Sequence, residues 1–181
     1  MTTSVDLRRA GAEALGTFFL VLIGPGAAMV DAYSAGQLGT VGIGLAFAFV
    51  VTAMIYALGH LSGAHINPAV TLGFWSVGRF PSGEVVPYAT DDRVAGGFAA
   101  IAVGLTVGFC ALMGGPITGA SMNPARSLGP AVVGGLWQGH WLYWVAPVSG
   151  MMAAGWTYDF LRRADRGTLH NPTSRRPPAS P

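Results

Sequence analysis

Apolar residues run along this chain in long blocks, not in the short alternating stripes of a water-soluble protein. Four blocks, at about 10–30, 40–58, 94–113 and 141–161, hold few or no charges. A helix needs about 20 apolar residues to cross some 30 Å of hydrocarbon, and each block is about that long. The pattern predicts an all-α transmembrane helical bundle with four full spans, forming one membrane domain over residues 1–166. The polar, Pro-rich stretch 167–181 reads as a disordered tail. Composition agrees: of 181 residues 51% are hydrophobic and 10% charged, whereas a soluble domain carries about a quarter charged. The first block follows Arg8 and Arg9 like a secretory leader, but it is longer than a leader's apolar core and contains Glu13.

All ten cations are arginine. Arg8 and Arg9 precede the first block, Arg79 and Arg93 lie between the second and third, and Arg162, Arg163, Arg166, Arg175 and Arg176 follow the fourth. Four spans with both termini cytoplasmic place these nine on the inside, as the positive-inside bias requires. The net charge of +2 therefore needs no nucleic-acid partner. The one cysteine, Cys110, has no disulfide mate within the chain and is expected to be a small buried hydrophobe. Arg126 stands apart from the topological pattern, in a motif.

That motif belongs to an internal repeat. Residues 59–73 read GHLSGAHINPAVTLG, and residues 115–129 read GPITGASMNPARSLG. Asn67-Pro68-Ala69 and Asn123-Pro124-Ala125 sit in the same frame. Asparagine is a strong N-cap and proline is favoured at the first helical position, so each copy starts a helix. The expected half-helices, about 67–76 and 123–133, are too short to span a bilayer. Non-helical backbone before them survives at membrane depth only if buried in protein or lining a watery cavity. One span separates the copies, so they enter from opposite faces as an inverted repeat. Their N-termini then face each other, each equivalent to about +0.5 charge. At an effective dielectric near 20, each end costs a passing cation ~2 kcal/mol. A neutral, hydrogen-bonding permeant is favoured over ions.

At these residues the chain resembles the aquaporin (major intrinsic protein) family. The stretch 13–20, EALGTFFL, is similar to the start of the family's first helix, and 141–147, WLYWVAP, to the start of its last. The resemblance implies a passive channel for water, and for small neutral solutes besides, with no cofactor and no enzyme activity. It makes Asn67, Pro68, Ala69, Asn123, Pro124 and Ala125 the pore motifs. It makes Phe47, Ala111, Ala120 and Arg126 the selectivity constriction. Ala111 departs from the histidine of water-specific relatives, which implies a wider constriction. Ser127 and Ala131 depart from the aspartate and basic residue of glycerol-type members. Glu13 is implied to hold the backbone of the second motif's loop. His60 and His65 flank the first motif as structural support; no acidic residue or cysteine clusters with them at metal-ligand spacing, so no metal is expected. No nucleophile–base pair or phosphate loop points to catalysis either.

The resemblance breaks between the motifs. Family members carry three full helices there, whereas 41 residues, 74–114, separate the repeats here. Most of the third helix and all of the fourth are missing, which preserves the parity of the two motifs. In the family the fourth helix lines the pore and, with the fifth, packs against the neighbouring subunit. The implied homo-oligomer, a tetramer in the family, loses part of its usual contact. The small-residue pairs Gly104/Gly108 and Gly150/Ala154 are expected to let another helix approach. Two functions follow: a channel in the cell membrane, or a non-conducting remnant that associates with full-length channels. For topology, single cysteines replacing Ser34 and Ser174 in a Cys110→Ala background should be labelled by impermeant reagent from opposite sides. Labelling from one side would overturn the four-span reading.

Overall fold

The structure is a computed structural model and describes residues 2–78 and 98–169. These form six helices: α1 (Thr2–Tyr33), α2 (Gly39–Ser62), α3 (Pro68–Ser76), α4 (Ala99–Thr118), α5 (Pro124–Gly134) and α6 (Leu142–Leu169). No strand occurs among the described residues. The connector with Arg79 and Arg93, and the end of the tail with His170, Arg175 and Arg176, lie outside them. Among the described residues three segments are long and apolar enough to cross a membrane: Leu7–Tyr33, Gly39–Ser62 and Ala99–Thr118. The fourth expected span falls within α6, whose 28 residues suffice in length but whose apolar content does not reach that of the others. Trp144, Trp156, Tyr158, Ser149 and Asp159 dilute it. Helix α6 also continues through Leu169, past the expected start of the tail.

Helix α2 is the central element, with α1 on one side and α4 on the other. The α2–α4 seam is made of small residues. A Cβ on Gly108 would lie 2.7 Å from the Ala48 Cβ, and one on Gly44 would lie 3.1 Å from the Gly108 carbonyl oxygen. Gly104 has no room for a Cβ against Ala48 and Thr52, and the Thr52 hydroxyl donates to the Ala100 carbonyl at 3.3 Å. Lipid exerts no hydrophobic force between helices, so close backbone approach carries the association. The Gly104/Gly108 pair, expected to receive another subunit, is thus used inside the chain. Gly150 stays open, with nothing within 4 Å.

The two short helices are held by longer ones. Helix α3 lies on α6, where a Cβ on Gly73 would lie 3.1 Å from Met151 and one on Gly155 would lie 3.4 Å from the Gly73 carbonyl oxygen. Helix α5 touches α1 and α6, and meets α3 end to end. At the α1–α2 turn the Gly39 N–H donates to Asp31 Oδ1 at 2.7 Å, satisfying one of the orphan donors at the start of α2.

Large apolar side chains lie outside as well as inside. The interior holds Leu20, Phe47, Val50, Val51 and Ile66 with Ala12, Ala48, Ala69, Ala99, Ala100 and Ala131, while Phe18, Phe49, Phe109, Met113 and Ile117 face outward. Water would penalise that surface heavily; hydrocarbon does not. Cys110 is exposed as well, against the buried position expected of it. It stands beside Phe109 on α4, which packs along α2 with one face only. Gly108→Val should force α2 and α4 apart, costing about 1–3 kcal/mol of overpacking strain and lowering the thermal midpoint in detergent. Gly150→Ala, with open space around it, should leave that midpoint within error.

Candidate functional site

The repeated segments fold alike, residue by residue. Helices α2 and α4 each end on a left-handed glycine, Gly63 (φ 88°) and Gly119 (φ 78°), whose N–H groups donate to Gly59 and Gly115 carbonyls at 2.9 Å. One residue on, the Ala64 N–H donates to the Ser62 hydroxyl at 3.1 Å, and the Ala120 N–H to the Thr118 hydroxyl at 3.3 Å. Two pairs of non-glycine residues then adopt positive φ: Ala64 (46°) and Ile66 (41°), Ala120 (41°) and Met122 (51°). Such backbone costs on the order of 1–3 kcal/mol per residue and is rarest for a β-branched side chain. Asn67 and Asn123 return to extended backbone, φ −158° and −149°. Asn67 Oδ1 accepts from the Ala69 N–H at 2.9 Å; Asn123 Oδ1 accepts from those of Ala125 and Arg126 at 3.0 and 3.3 Å. Pro68 and Pro124 then open α3 and α5, where a missing N–H costs nothing.

The loops also hold each other. Asn67 Nδ2 donates to the Met122 carbonyl at 3.0 Å, and Asn123 Nδ2 to the Ile66 carbonyl at 2.7 Å. Each cap thus fixes the strained residue that precedes the opposite cap. A further pair is equivalent: His65 Nδ1 bonds the Thr71 hydroxyl at 2.7 Å, and the Ser127 hydroxyl bonds that of Ser121. The Thr71 hydroxyl also lies 3.4 Å from the Asn67 carbonyl oxygen. The ring packs on Phe74 at 5.4 Å.

Glu13 breaks the symmetry, and not where the resemblance placed it. Its Oε1 accepts from the His65 N–H at 2.9 Å and its Oε2 from the Ile66 N–H at 2.6 Å. It therefore holds the first motif's loop. The reason is adjacency: α1 packs along α2, whose C-terminus feeds that loop. His60, expected as a support beside it, is exposed in the last turn of α2 and makes none of these bonds.

Both loops line one cavity of about 390 Å³. Its remaining wall is apolar, from Leu20, Phe47, Val51 and Ile55 on α1 and α2, and Val103 and Val107 on α4. Of the expected constriction residues, Phe47, Ala120 and Arg126 line the cavity, while Ala111 is buried in the cluster of Leu20, Phe47, Val50, Val51 and Ile66. The Arg126 guanidinium carbon lies 4.9 Å over the Phe47 ring, a distance at which ring and cation attract. Its Nε is buried and has no acceptor among the described residues. Among the described residues no metal-binding cluster is found. Sequence reasoning gave no loop-bonding role to Ser62, Thr71, Thr118 or Ser127, although the repeat carries hydroxyls at both pairs of positions.

Comparison with known proteins gives consistent matches. The profile of the major intrinsic proteins matches residues 1–94 and 88–158, in two pieces. Nodulin-26 of Glycine max is 34% identical over 88% of this chain and 80% of its own length. Aquaporin NIP1-1 of Oryza sativa subsp. japonica is 35% identical over 83% of this chain and 73% of its own. The probable aquaporin AqpM of Archaeoglobus fulgidus is 35% identical over 86% of this chain and 97% of its own. That last alignment runs over 239 positions, more than this chain possesses, so a long stretch of the archaeal protein faces no residue here.

Removing the Glu13 carboxylate strands the N–H groups of His65 and Ile66, at about 1–3 kcal/mol each. Glu13→Ala should lower the thermal midpoint in detergent strongly, and Glu13→Gln, which keeps one acceptor, should restore part of the loss. An unchanged midpoint in Glu13→Ala would mean that the carboxylate does not carry the loop.

Proposed function

The chain belongs to the major intrinsic protein family, a family of membrane channels, and we propose that it conducts water first and small neutral solutes second. The observation that carries the proposal is the reciprocal Asn67–Met122 and Asn123–Ile66 bonding at the head of two facing half-helices, beside a cavity both loops line. Each asparagine amide has two N–H hydrogens. One is committed to the opposite loop; the other is available to a water oxygen. The facing helix N-termini favour the oxygen end of water and oppose cations. Loop carbonyls are ready acceptors for water's hydrogens. Asn67, Pro68, Ala69, Asn123, Pro124 and Ala125 are accordingly the pore motifs of this reading, and Phe47, Ala111, Ala120 and Arg126 its constriction.

Arg126 gives that constriction its charge. A cation at membrane depth is costly and marks function, and here the Phe47 ring face offsets part of the cost. Ala111 brings neither bulk nor a hydrogen-bonding group to that constriction, so discrimination against solutes larger than water is relaxed. Four spans with cytoplasmic termini, and a place in the cell membrane, complete the proposal.

The short stretch between the two motifs favours a second reading, in which the chain alone is a remnant that leaks nothing and acts only in association with other channels. Water-flux measurements on proteoliposomes separate the two. Under the channel reading, wild-type vesicles shrink in an osmotic step faster than empty ones, Arg126→Ala loses selectivity against ions and urea-sized solutes, and Ala111→His tightens exclusion of such solutes. Wild-type vesicles that behave like empty ones under every reconstitution condition would leave the remnant reading standing.

A further inference from the structure

Helix α1 turns one stripe of residues toward the first loop and the Phe47 ring. Glu13, Gly16, Leu20 and Gly24 follow one another at steps of three and four, so they share a face of the helix. Gly16, Leu20 and Gly24 are buried. Each meets something different. Glu13 takes the backbone of the first loop, Gly16 gives room to the Ile66 side chain, and Leu20 joins the cluster around Phe47. Gly24 faces the Phe47 ring itself. A Cβ on Gly24 would lie 2.3 Å from Phe47 Cε1 and 2.7 Å from Cδ1 and Cζ, far inside the roughly 3.5 Å at which carbon atoms touch. The other α1 glycines, Gly11 and Gly26, have nothing within 4 Å.

The contact matters because of what surrounds the rest of the ring. Phe47 is buried against Leu20, Val50, Val51, Ile66 and Ala111. It also lines the cavity that both loops share, and the Arg126 guanidinium carbon stands 4.9 Å over its face. The packed cluster resists a ring driven off α1, so the ring gives way on the cavity side, where Arg126 stands. Phe47 can therefore lie back only as far as α1 admits it, and glycine is the residue that admits it furthest.

We propose that Gly24 is a positioning residue of the constriction: it lets the Phe47 ring lie back against α1 and so keeps the passage beside Arg126 open. The proposal rests on the channel reading for its effect on permeation; the seating of the ring is independent of conduction.

Gly24 also precedes Pro25 within α1, and a Cβ before proline disfavours helical backbone, so the experiment must separate ring from backbone. Urea and water permeabilities are compared in proteoliposomes of wild type, Gly24→Ala and Gly26→Ala, each also combined with Phe47→Val. Gly24→Ala should lower the urea-to-water ratio about tenfold, the scale of one methyl group in a tight pocket. Gly26→Ala should leave it unchanged. In the Phe47→Val background Gly24→Ala should have no effect on it. In parallel, 4-fluorophenylalanine at position 47 reports the ring in detergent: Gly24→Ala should shift its fluorine resonance, and Gly26→Ala should not. An unchanged ratio in conducting Gly24→Ala vesicles overturns the proposal, as does an effect that persists with Phe47→Val, or an unmoved resonance. Should Gly24→Ala fail to fold, the double variant with Phe47→Val should fold; failure of both would place the fault in the backbone before Pro25 and overturn the proposal as well. Wild-type vesicles without flux would count against the channel reading, and the fluorine resonance then decides the seating of the ring by itself.

Discussion

Everything in this structure follows from carrying non-helical backbone into a membrane. Between Gly63 and Asn67, and again between Gly119 and Asn123, the chain leaves helical geometry. Hydrocarbon offers no hydrogen bonds to such backbone. The structure resolves the demand with side chains that are long enough to reach and few enough to fit. Glu13 supplies two acceptors, and the two cap asparagines supply the exchanged donors. Because each asparagine both starts its own half-helix and holds the opposite loop, neither loop is independent of the other. Charged acceptors are worth about 1.5–3 kcal/mol per bond, the scale of the strain at Ala64 and Ile66. The two offset each other, and the strained geometry persists.

That dependence explains the division of labour among helices. The long helices α1, α2 and α4 expose many of their large side chains, and α2 and α4 pack through Gly44, Ala48, Gly104 and Gly108, so their backbones lie close. Close approach sets the loops at a fixed spacing: α2 and α4 deliver the two loop entrances, and their seam has no slack for a Cβ. Helix α6 serves differently, as a platform for α3 through Met151 and Gly155. Its lower apolar content is compatible with that task, since part of its surface faces protein.

What could be read from the residues was whatever depends on local chemistry. An asparagine followed by proline announces a helix start, and two such starts in one repeated frame announce paired half-helices; both appear where expected. The approximate positions of the long helices were equally open to reading, because length and apolarity are properties of the segment itself. What could not be read were choices between neighbours in space. Glu13 lies 52 residues from His65 in sequence, and nothing in its local context says which of two similar loops it serves. Gly104 and Gly108 look like a surface for another subunit until α2 is seen to cover them. Cys110 is apolar enough for either side of α4, and only the one-sided packing of that helix puts it outside.

The unequal treatment of the two loops bears on how the chain tolerates its shortened middle. The first loop is complete within this chain, with a carboxylate on His65 and Ile66 and with His65 itself bonded to Thr71. The second has its cap, its exchanged bond and its Ser121–Ser127 bond, but no carboxylate among the described residues. Of the bonds that fix the second loop, two cross to the first, the Asn123 Nδ2 donation to Ile66 and the Asn67 Nδ2 donation to Met122. Its order is therefore borrowed from the half that Glu13 braces. A perturbation at Glu13 should propagate through Ile66 to Asn123, and from there to the start of α5, where Arg126 sits. Loss of one carboxylate in α1 thus reaches the cation of the other half through two hydrogen bonds and a helix cap.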